Sequence, residues 1–378
     1  GQTGTQSCST RGGGEDPCAS GNEAEAVCLF GGKRDAGGPC RENSGQSIHR
    51  NAIQALALKE SLTPFQLATG PNIRIRLIKT SVNEHILLVT MHHIVSDGWS
   101  IGIMTEELSV IYNGIVNQKI VQLPALTIQY SDFCVWQKDI YSHEFLAKDL
   151  QWWQSQLVGA PLRIELPANL PRPPTQSYSG GVESIVISAQ VVSKLKTICR
   201  RENVTLYMLS LALFGILVSR HTGQRDLLIG SPFSGRGQQE LEGLLGVFTN
   251  TLPMRLQTDQ SDNLADYIKT VRAFCLGAHE HQALPFEKLV DALKPERDVA
   301  YSPIMQVIFG FQNSPNHNAH PRLNLQGLEV QPFDVERQAV SVDLEVHLWE
   351  YNGAIECQFV YNTKLYHRNT IKRMCGHY

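Results

Sequence analysis

The sequence contains no long uninterrupted hydrophobic run. Its longest apolar stretch, from Leu206 to Ser219, is interrupted by Ser210 and Gly215 and is shorter than the roughly 20 residues that cross a bilayer. We therefore predict a buried helix here, with Thr205 as its N-cap. Neither sign of charge is in large excess, and the formal net charge of -3 gives no reason to expect nucleic acid or a membrane as a partner.

Closely spaced cysteine pairs and phosphate-binding loops are also missing. None of the nine cysteines forms a C-x-x-C pair, and five of them are spread singly through apolar segments. This pattern favours a reducing, cytoplasmic setting over a disulfide scaffold. Strands and helices are predicted to alternate without a glycine-rich loop between them, which indicates an α/β chain that does not bind a nucleotide in that way.

The chain is long enough for two domains on a prior of roughly 150 residues each, and 42% of its residues are hydrophobic. Residues 1–48 differ from the rest, because they hold eleven of the thirty glycines and four spaced cysteines. We expect this segment to be disordered or non-native rather than a zinc or disulfide module. The remainder divides at a proline-rich linker, 171–181, into an N-terminal half, 49–170, and a C-terminal half, 182–378.

One stretch, Met91–Ser100, concentrates polar chemistry directly after an apolar run. The alternation of side chains over Ile86–Met91 predicts a strand, and adjacent strand residues point to opposite faces. His92 and His93 would then form a poor metal chelate, and we expect no metal site. One working base and one structural histidine is the better hypothesis, with a buried core histidine as the alternative.

The chemistry that suits this stretch is acyl transfer with His93 as the base. An amine that attacks a thioester must lose a proton, and a neutral imidazole near physiological pH can accept it. Asp97 would be an orienting or structural carboxylate, for which Arg236 is the candidate cationic partner. Gly98 would let the backbone turn closely beside the reacting centre.

A serine hydrolase is a competing hypothesis. Residues 98–102 match G-x-S-x-G, the pattern in which a sharp turn exposes a nucleophilic serine. Ser100 is equally well interpreted as the N-cap of a helix that ends near Gly114. The short pattern also occurs often by chance.

Five ordered motifs resemble those of condensation domains from nonribosomal peptide synthetases. The first is Met91–Ser100, which resembles the family's H-H-x-x-x-D-G signature. The others follow in the family's order: Tyr130–Gln137, Leu245–Arg255, His281–Val290, and Arg297-Asp298 with Ser302-Pro303 and Gln306–Phe309.

The resemblance implies an α/β (α+β two-layer) fold of two chloramphenicol-acetyltransferase-like subdomains, forming a V-shaped pseudo-dimer with a central tunnel. It implies amide formation between an upstream acyl or peptidyl thioester and a downstream aminoacyl amine, with His93 catalytic. The residues implied as structural support are His92, Asp97, Gly98 and Arg236. Trp99, Ser100 and Asn250 would line the tunnel or pack.

The same resemblance implies partners but no directly bound cofactor. Upstream and downstream carrier proteins would each present a phosphopantetheine arm, and an adenylation domain would adjoin in the same synthetase. Residues Ser96–Ser100 look most like the class that joins two L residues, and an epimerisation-type domain and an inactive condensation-like platform are the alternatives. The family's two front motifs have no counterpart in this sequence, so we expect an N-terminally incomplete domain and leave the activity of the fragment open.

Overall fold

The computed structural model describes residues 24–32, 44–141, 143–259, 263–296, 298–312, 323–333 and 339–378. Its strands are β1 Ala24–Gly32, β2 Ile73–Lys79, β3 Glu84–His92, β4 Gly180–Ile187, β5 Asp226–Phe233, β6 Asn250–Gln257, β7 Val307–Gln312, β8 Glu329–Pro332, β9 Leu344–Tyr351 and β10 Ala354–Asn362. Its helices are α1 Ser44–Leu62, α2 Gly98–Val116, α3 Tyr130–Ile140, α4 His143–Leu157, α5 Ala189–Glu202, α6 Leu206–Thr222, α7 Leu264–Glu280, α8 Phe286–Leu293 and α9 Arg368–His377.

The first sheet contains four strands in the order β2-β3-β1-β8. The predicted β2–β3 hairpin is confirmed, since the two strands pair antiparallel with Ile73 opposite Met91. Both faces of β3 are covered: Leu88 packs with Ala57 of α1, while Val89 packs in a cluster with Ile101 of α2. This double burial explains why β3 is apolar on both faces. It also fixes the position of the residues that follow the strand.

The structure describes two parts of the atypical segment 1–48, namely β1 and the start of α1 at Ser44, and the expectation that this segment is disordered or non-native stays a prediction. β1 pairs antiparallel with β3 along its whole length, from Ala24 opposite His92 to Gly32 opposite Glu84. Six of the nine residues of β1, AEAVCLFGG, are apolar, and β8 pairs with the other edge of β1 over Leu29–Gly32. Residues 1–23 and 33–43, with Cys8, Cys18 and Cys40, lie outside the described residues, and the predicted domain boundaries stay a prediction.

The second sheet contains six strands in the order β4-β10-β9-β7-β5-β6. One of its faces is packed against helices, as Phe309 of β7 stacks on Phe214 of α6 with the ring centroids 5.1 Å apart. The hairpin predicted from Asn352-Gly353 is confirmed: it joins β9 to β10, and both residues have positive φ, 49° and 78°. This larger sheet and its helices hold most of the buried core.

The predicted buried helix corresponds to α6, and Thr205 caps it by accepting a hydrogen bond from the Met208 N–H at 3.2 Å. In the described ranges no single helix is long and apolar enough to cross a membrane. Together α5 and α6 reach that length and composition, but a 102° bend separates them.

The proline-rich linker is fixed to the second half of the chain. The Arg172 guanidinium forms an ion pair with Asp343 and lies over the Tyr301 ring, with its central carbon 3.8 Å from the ring centroid. The last linker residues, Gly180 and Gly181, already belong to β4. A Cβ at Gly180 would lie 2.7 Å from the backbone of Ala339, so this position requires glycine.

Candidate active site

The two histidines occupy different structures, which corrects the expectation that both lie on a strand. β3 ends at His92, and residues 93–95 form one turn of 3₁₀ helix. His92 caps this turn, because its Nδ1 accepts a hydrogen bond from the Ile94 N–H at 3.0 Å. Its ring also meets the Phe65 ring edge-on at 5.8 Å. The turn, rather than strand alternation, therefore sets the direction of the His93 side chain.

The His93 ring is held in one tautomer. Its Nδ1 lies 2.5 Å from the carbonyl oxygen of Ser96, and a carbonyl can only accept a hydrogen bond. Nδ1 therefore carries the proton, and in the neutral ring Nε2 keeps its lone pair. The ring is half-buried, and Nε2 makes no hydrogen bond within the part of the chain that the structure describes. This geometry suits a general base.

Asp97 is the N-cap of α2, a position that the sequence assigned to Ser100. One Asp97 carboxylate oxygen accepts the Ser100 N–H at 2.8 Å, and the other accepts the Phe248 N–H at 3.1 Å. The side chain is 2% exposed. Gly98 is the first helical residue after the cap. Because the Phe248 N–H completes it, this cap also links two parts of the chain that are 151 residues apart.

Arg236 is the partner of Asp97, as predicted. Its Nη2 lies 3.1 Å from Asp97 Oδ1, and the arginine side chain is 0% exposed. Nη1 donates to the carbonyl oxygens of Leu241 and Leu244, and the guanidinium carbon lies 4.0 Å from the Phe248 ring centroid. Burial lowers the pKa of Arg236, and the Asp97 carboxylate opposes that shift. The pair meets the requirement that a buried charge be compensated by charge and hydrogen bonds.

Ser100 is a structural link rather than an exposed nucleophile. It is 1% exposed. Its Oγ lies 2.8 Å from Asp97 Oδ1 and 2.9 Å from the Gly246 carbonyl oxygen, and it accepts from the Gly246 N–H and from Arg236, each at 3.1 Å. The described residues place no histidine in hydrogen-bond contact with it. We call Asp97, Ser100, Arg236, Gly246 and Phe248 the clasp.

Trp99 and Asn250 were expected to line a tunnel or to pack. Both side chains form hydrogen bonds with backbone groups. The Trp99 indole N–H donates to the Glu242 carbonyl at 2.9 Å. The Asn250 amide donates to the carbonyls of Gln282 and Leu284 at 2.9 and 2.7 Å, and its Oδ1 accepts the Phe286 N–H at 3.2 Å. Asn250 thus ties the motif at Leu245–Arg255 to the motif at His281–Val290.

Sequence reasoning missed Gly246, although it lies inside a quoted motif. A Cβ at this position would lie 2.2 Å from the Tyr130 ring, and the Tyr130 hydroxyl donates to the Val247 carbonyl at 2.9 Å. The only sequence signal was that a motif containing this glycine follows, more than a hundred residues later, an aromatic motif that begins at Tyr130.

Arg297 of the last motif lies outside the described residues. Among the residues that are described, no three His, Cys, Asp or Glu side chains are grouped to hold a metal.

The His93 turn is followed directly by Asp97, which a buried ion pair joins to Arg236. The model of the condensation domain family matches residues 41–378, and the chain belongs to that family. Members of the family form amide bonds, and the chain is a condensation domain of the nonribosomal peptide synthetase type.

Known synthetases contain similar stretches. Bacitracin synthase 3 from Bacillus licheniformis is 36% identical over 320 residues, which covers 85% of this chain and 5% of that protein. Malpinin synthetase from Mortierella alpina is 38% identical over 319 residues, which covers 84% of this chain and 4% of that protein. The chain therefore spans a small part of the length of the relatives that it matches.

Solved structures share the fold at lower identity. The X-domain from teicoplanin biosynthesis aligns with a TM-score of 0.80 at 18% identity, covering 94% of this chain and 88% of that one. The first condensation domain of the calcium-dependent antibiotic synthetase, in complex with a substrate analogue, aligns with a TM-score of 0.74 at 16% identity. The alignment covers 93% of this chain and 88% of that one. These neighbours confirm the predicted fold class, a mixed α/β fold related to chloramphenicol acetyltransferase.

Proposed function

We propose that this chain forms a peptide bond between an upstream carrier-bound acyl or peptidyl thioester and the amine of a downstream carrier-bound aminoacyl thioester. The observation that carries the proposal is the hydrogen bond from His93 Nδ1 to the Ser96 carbonyl, which leaves Nε2 as a proton acceptor. Family membership and the similarity to peptide synthetases support the same reaction class.

In the proposed reaction the amine nitrogen attacks the thioester carbon, a C–N bond forms, and the C–S bond breaks. The nitrogen must lose a proton, which His93 Nε2 accepts, and the leaving sulfur receives a proton to become a thiol. Asp97 cannot act as a second acid, because both of its oxygens are engaged in the clasp. His92 supports the turn by capping it.

The proposal includes the partners and the setting. The thioesters would arrive on phosphopantetheine arms of an upstream and a downstream carrier protein, with no cofactor bound to this chain itself. An adenylation domain would adjoin it in one cytoplasmic synthetase. We also propose that the chain joins two L residues, which the residues Ser96–Ser100 favour.

The test is a condensation assay with one donor-loaded and one acceptor-loaded carrier. We expect the wild-type chain to form the amide and His93→Ala to be slower by about 10²- to 10⁴-fold, the usual contribution of a general base. Donors of L and D configuration, tested in parallel, report the stereochemical class. Product formation that survives the substitution would contradict the base role.

The other functions that the sequence suggested have distinct outcomes in the same experiment. An epimerisation-type domain would change the configuration of the donor without forming an amide. A platform that only recruits partners would bind carriers and yield neither product. A serine hydrolase would release free acid and lose that activity in Ser100→Ala, an outcome that the bonding of Ser100 in the clasp disfavours.

A further inference from the structure

The loop between α1 and β2 places an aromatic ring against the histidine that caps the His93 turn. The Phe65 ring meets the His92 ring edge-on, with the centroids 5.8 Å apart and the ring planes at 85°. None of the five motifs includes Phe65, and it is not one of the residues of the clasp. The contact therefore connects the His92 cap to a separate part of the chain.

The orientation of the His92 ring depends on few contacts. Its Nδ1 accepts the Ile94 N–H at 3.0 Å, so in the neutral ring the proton is on Nε2. Across the described ranges Nε2 has no hydrogen-bond partner. Half a turn of the ring about its χ2 bond would place a carbon where Nδ1 now accepts, with little change in shape, and the cap would be lost. A neighbouring ring that restricts this rotation keeps the cap formed.

The Phe65 ring is in turn covered by the Arg74 guanidinium. The central carbon of this guanidinium lies 3.7 Å from the ring centroid, which is a cation–π contact. Arg74 also donates to the carbonyl oxygens of Glu60 and Thr63 at 2.7 and 2.8 Å, and its Nε lies 3.2 Å from the Glu60 carboxylate. Since these carbonyls lie at the end of α1, the bonds anchor Arg74 to that helix. Phe65 therefore packs against a side chain that is itself held in place.

The two strands fix the distance between Arg74 and His92. Arg74 lies opposite Thr90 in the antiparallel register, and Thr90 and His92 alternate to the same face of β3. The His92 N–H donates to the Asn72 carbonyl at 3.1 Å, which holds the end of β3 against the chain that leads into β2. Diagonal neighbours on one face lie about 7–8 Å apart. This separation suits a ring that contacts both side chains, as Phe65 does.

We propose that Phe65 is a positioning residue for the base of the acyl transfer. Phe65 restricts the His92 ring to the orientation that caps the turn, and Arg74 keeps Phe65 in place. The effect on His93 is indirect: the capped turn holds the Ser96 carbonyl 2.5 Å from His93 Nδ1, and Nε2 stays the acceptor. The inference rests on the proposed amide-forming function and adds to it a residue from outside the five motifs.

The first test is NMR of the full chain with isotope-labelled histidine, which reports the nitrogen that carries the proton in each ring. Spectra are recorded well above the usual histidine pKa of about 6.5, so that the rings are neutral. His92→Asn and His93→Asn identify the two signals. We expect the wild-type His92 proton on Nε2 and the His93 proton on Nδ1. Phe65→Leu should lower the ratio of capped to uncapped His92 by roughly two- to tenfold, the usual contribution of an aromatic pair. An uncapped ring can carry its proton on either nitrogen, so its signal differs.

Phe333→Leu is the matched control for lost packing. Phe333 packs against Ala57 and Leu88, and Leu88 lies on the same face of β3 as His92 but four residues, or about 13 Å, along the strand. The His92 signal should not change in this variant. Phe65→Tyr, which keeps the ring, should also retain the wild-type signal. An unchanged His92 signal in Phe65→Leu, or equal changes in Phe65→Leu and Phe333→Leu, would overturn the proposal.

The second test measures single-turnover amide formation in a double-mutant cycle. Phe65→Leu should slow the wild type by the same factor, but it should have no effect in a His92→Asn background, because an asparagine cap has no ring to orient. Equal slowing in both backgrounds would mean that Phe65 does not act through His92, which contradicts the positioning role. The NMR measurement requires no turnover. A wild type that forms no amide would therefore contradict the proposed function, whereas the His92 signal still decides whether Phe65 orients the cap.

Discussion

At the residue scale, the structure gives adjacent histidines different tasks. His92 uses its ring nitrogen to cap the turn, whereas His93 begins the turn and hydrogen-bonds its end. Adjacent identical residues are separated in role because β3 stops between them. The backbone carbonyl of Ser96 thus makes Nε2 the acceptor nitrogen of His93, and no carboxylate is needed to orient the ring.

The clasp ion pair should be important for stability. Asp97→Ala removes the only carboxylate within hydrogen-bond reach of the buried Arg236 guanidinium among the described residues. Leaving one charge of a buried pair uncompensated costs about 3–5 kcal/mol in the free energy of unfolding. Chemical denaturation of the wild type and the variant measures this loss.

The matched control is an exposed ion pair, Lys196 with Glu350, whose side chains are 45% and 33% exposed. Lys196→Ala should cost less than about 1 kcal/mol. Equal losses for the two substitutions would show that the clasp contributes no more than a surface contact. The double variant Asp97→Ala/Arg236→Met should recover part of the loss, because it removes both charges.

Charge balance made part of this site predictable from the sequence. A buried aspartate needs a cation, and Arg236 in the stretch Ser234-Gly235-Arg236 was the candidate partner of Asp97. The N-cap was assigned to Ser100 because serine and aspartate are both good caps and the strand was expected to reach further.

At the element scale, strong local patterns were predictable and weak ones were not. The β9–β10 hairpin followed from Asn352-Gly353, and α6 followed from its apolar length and Thr205. β8 was missed, because four partly exposed residues have no distinct period. β1 and α1 lie in or begin within an atypical segment, where composition conceals the tertiary pairing that forms the strand.

The hairpin turn supplies a test of backbone geometry. Gly353 has φ of 78°, a left-handed conformation in which a Cβ costs roughly 1–2 kcal/mol. Gly353→Ala should therefore destabilise the chain by that amount, as measured by chemical denaturation. The added methyl would meet no atom closer than 3.7 Å, so the cost would come from the backbone.

Gly376 in α9 is the comparison, because a Cβ there would meet nothing within 4 Å. Gly376→Ala should leave stability unchanged or raise it by up to about 1 kcal/mol, since alanine favours a helix. If both substitutions destabilised the chain equally, the cost at Gly353 could not be attributed to its left-handed backbone conformation.

At the scale of the whole molecule, residues distant in sequence build one site. Asp97 meets Arg236 and Phe248 across separations of 139 and 151 residues. Asn250 extends the connection to the loop that precedes α8. The residues that directly follow the His93 turn are therefore held by distant parts of the chain as well as by their own helix.

Cysteine reactivity reports whether this whole core forms. Among the described cysteines, Cys134 is exposed and Cys199, Cys275, Cys357 and Cys375 are buried. Burial raises the pKa of Cys275 to about 12 and that of Cys375 to about 12, so both stay protonated and unreactive at neutral pH.

Alkylation of the native chain, mapped by mass spectrometry, should therefore modify Cys134 first among these five. The other four should react only after denaturant is added. Fast native labelling of Cys275 and Cys357 would mean that the six-stranded sheet and its helices are not packed as described.

The most direct test of the proposed chemistry compares the two histidines in one reaction. Single-turnover amide formation from loaded carriers is measured for the wild type, His92→Asn and His93→Asn. His92→Asn should keep most of the rate, because its amide oxygen can still accept the Ile94 N–H. His93→Asn should be slower by about 10²- to 10⁴-fold, because no base remains. Equal losses for both variants, or an unchanged rate for His93→Asn, would contradict the division of roles.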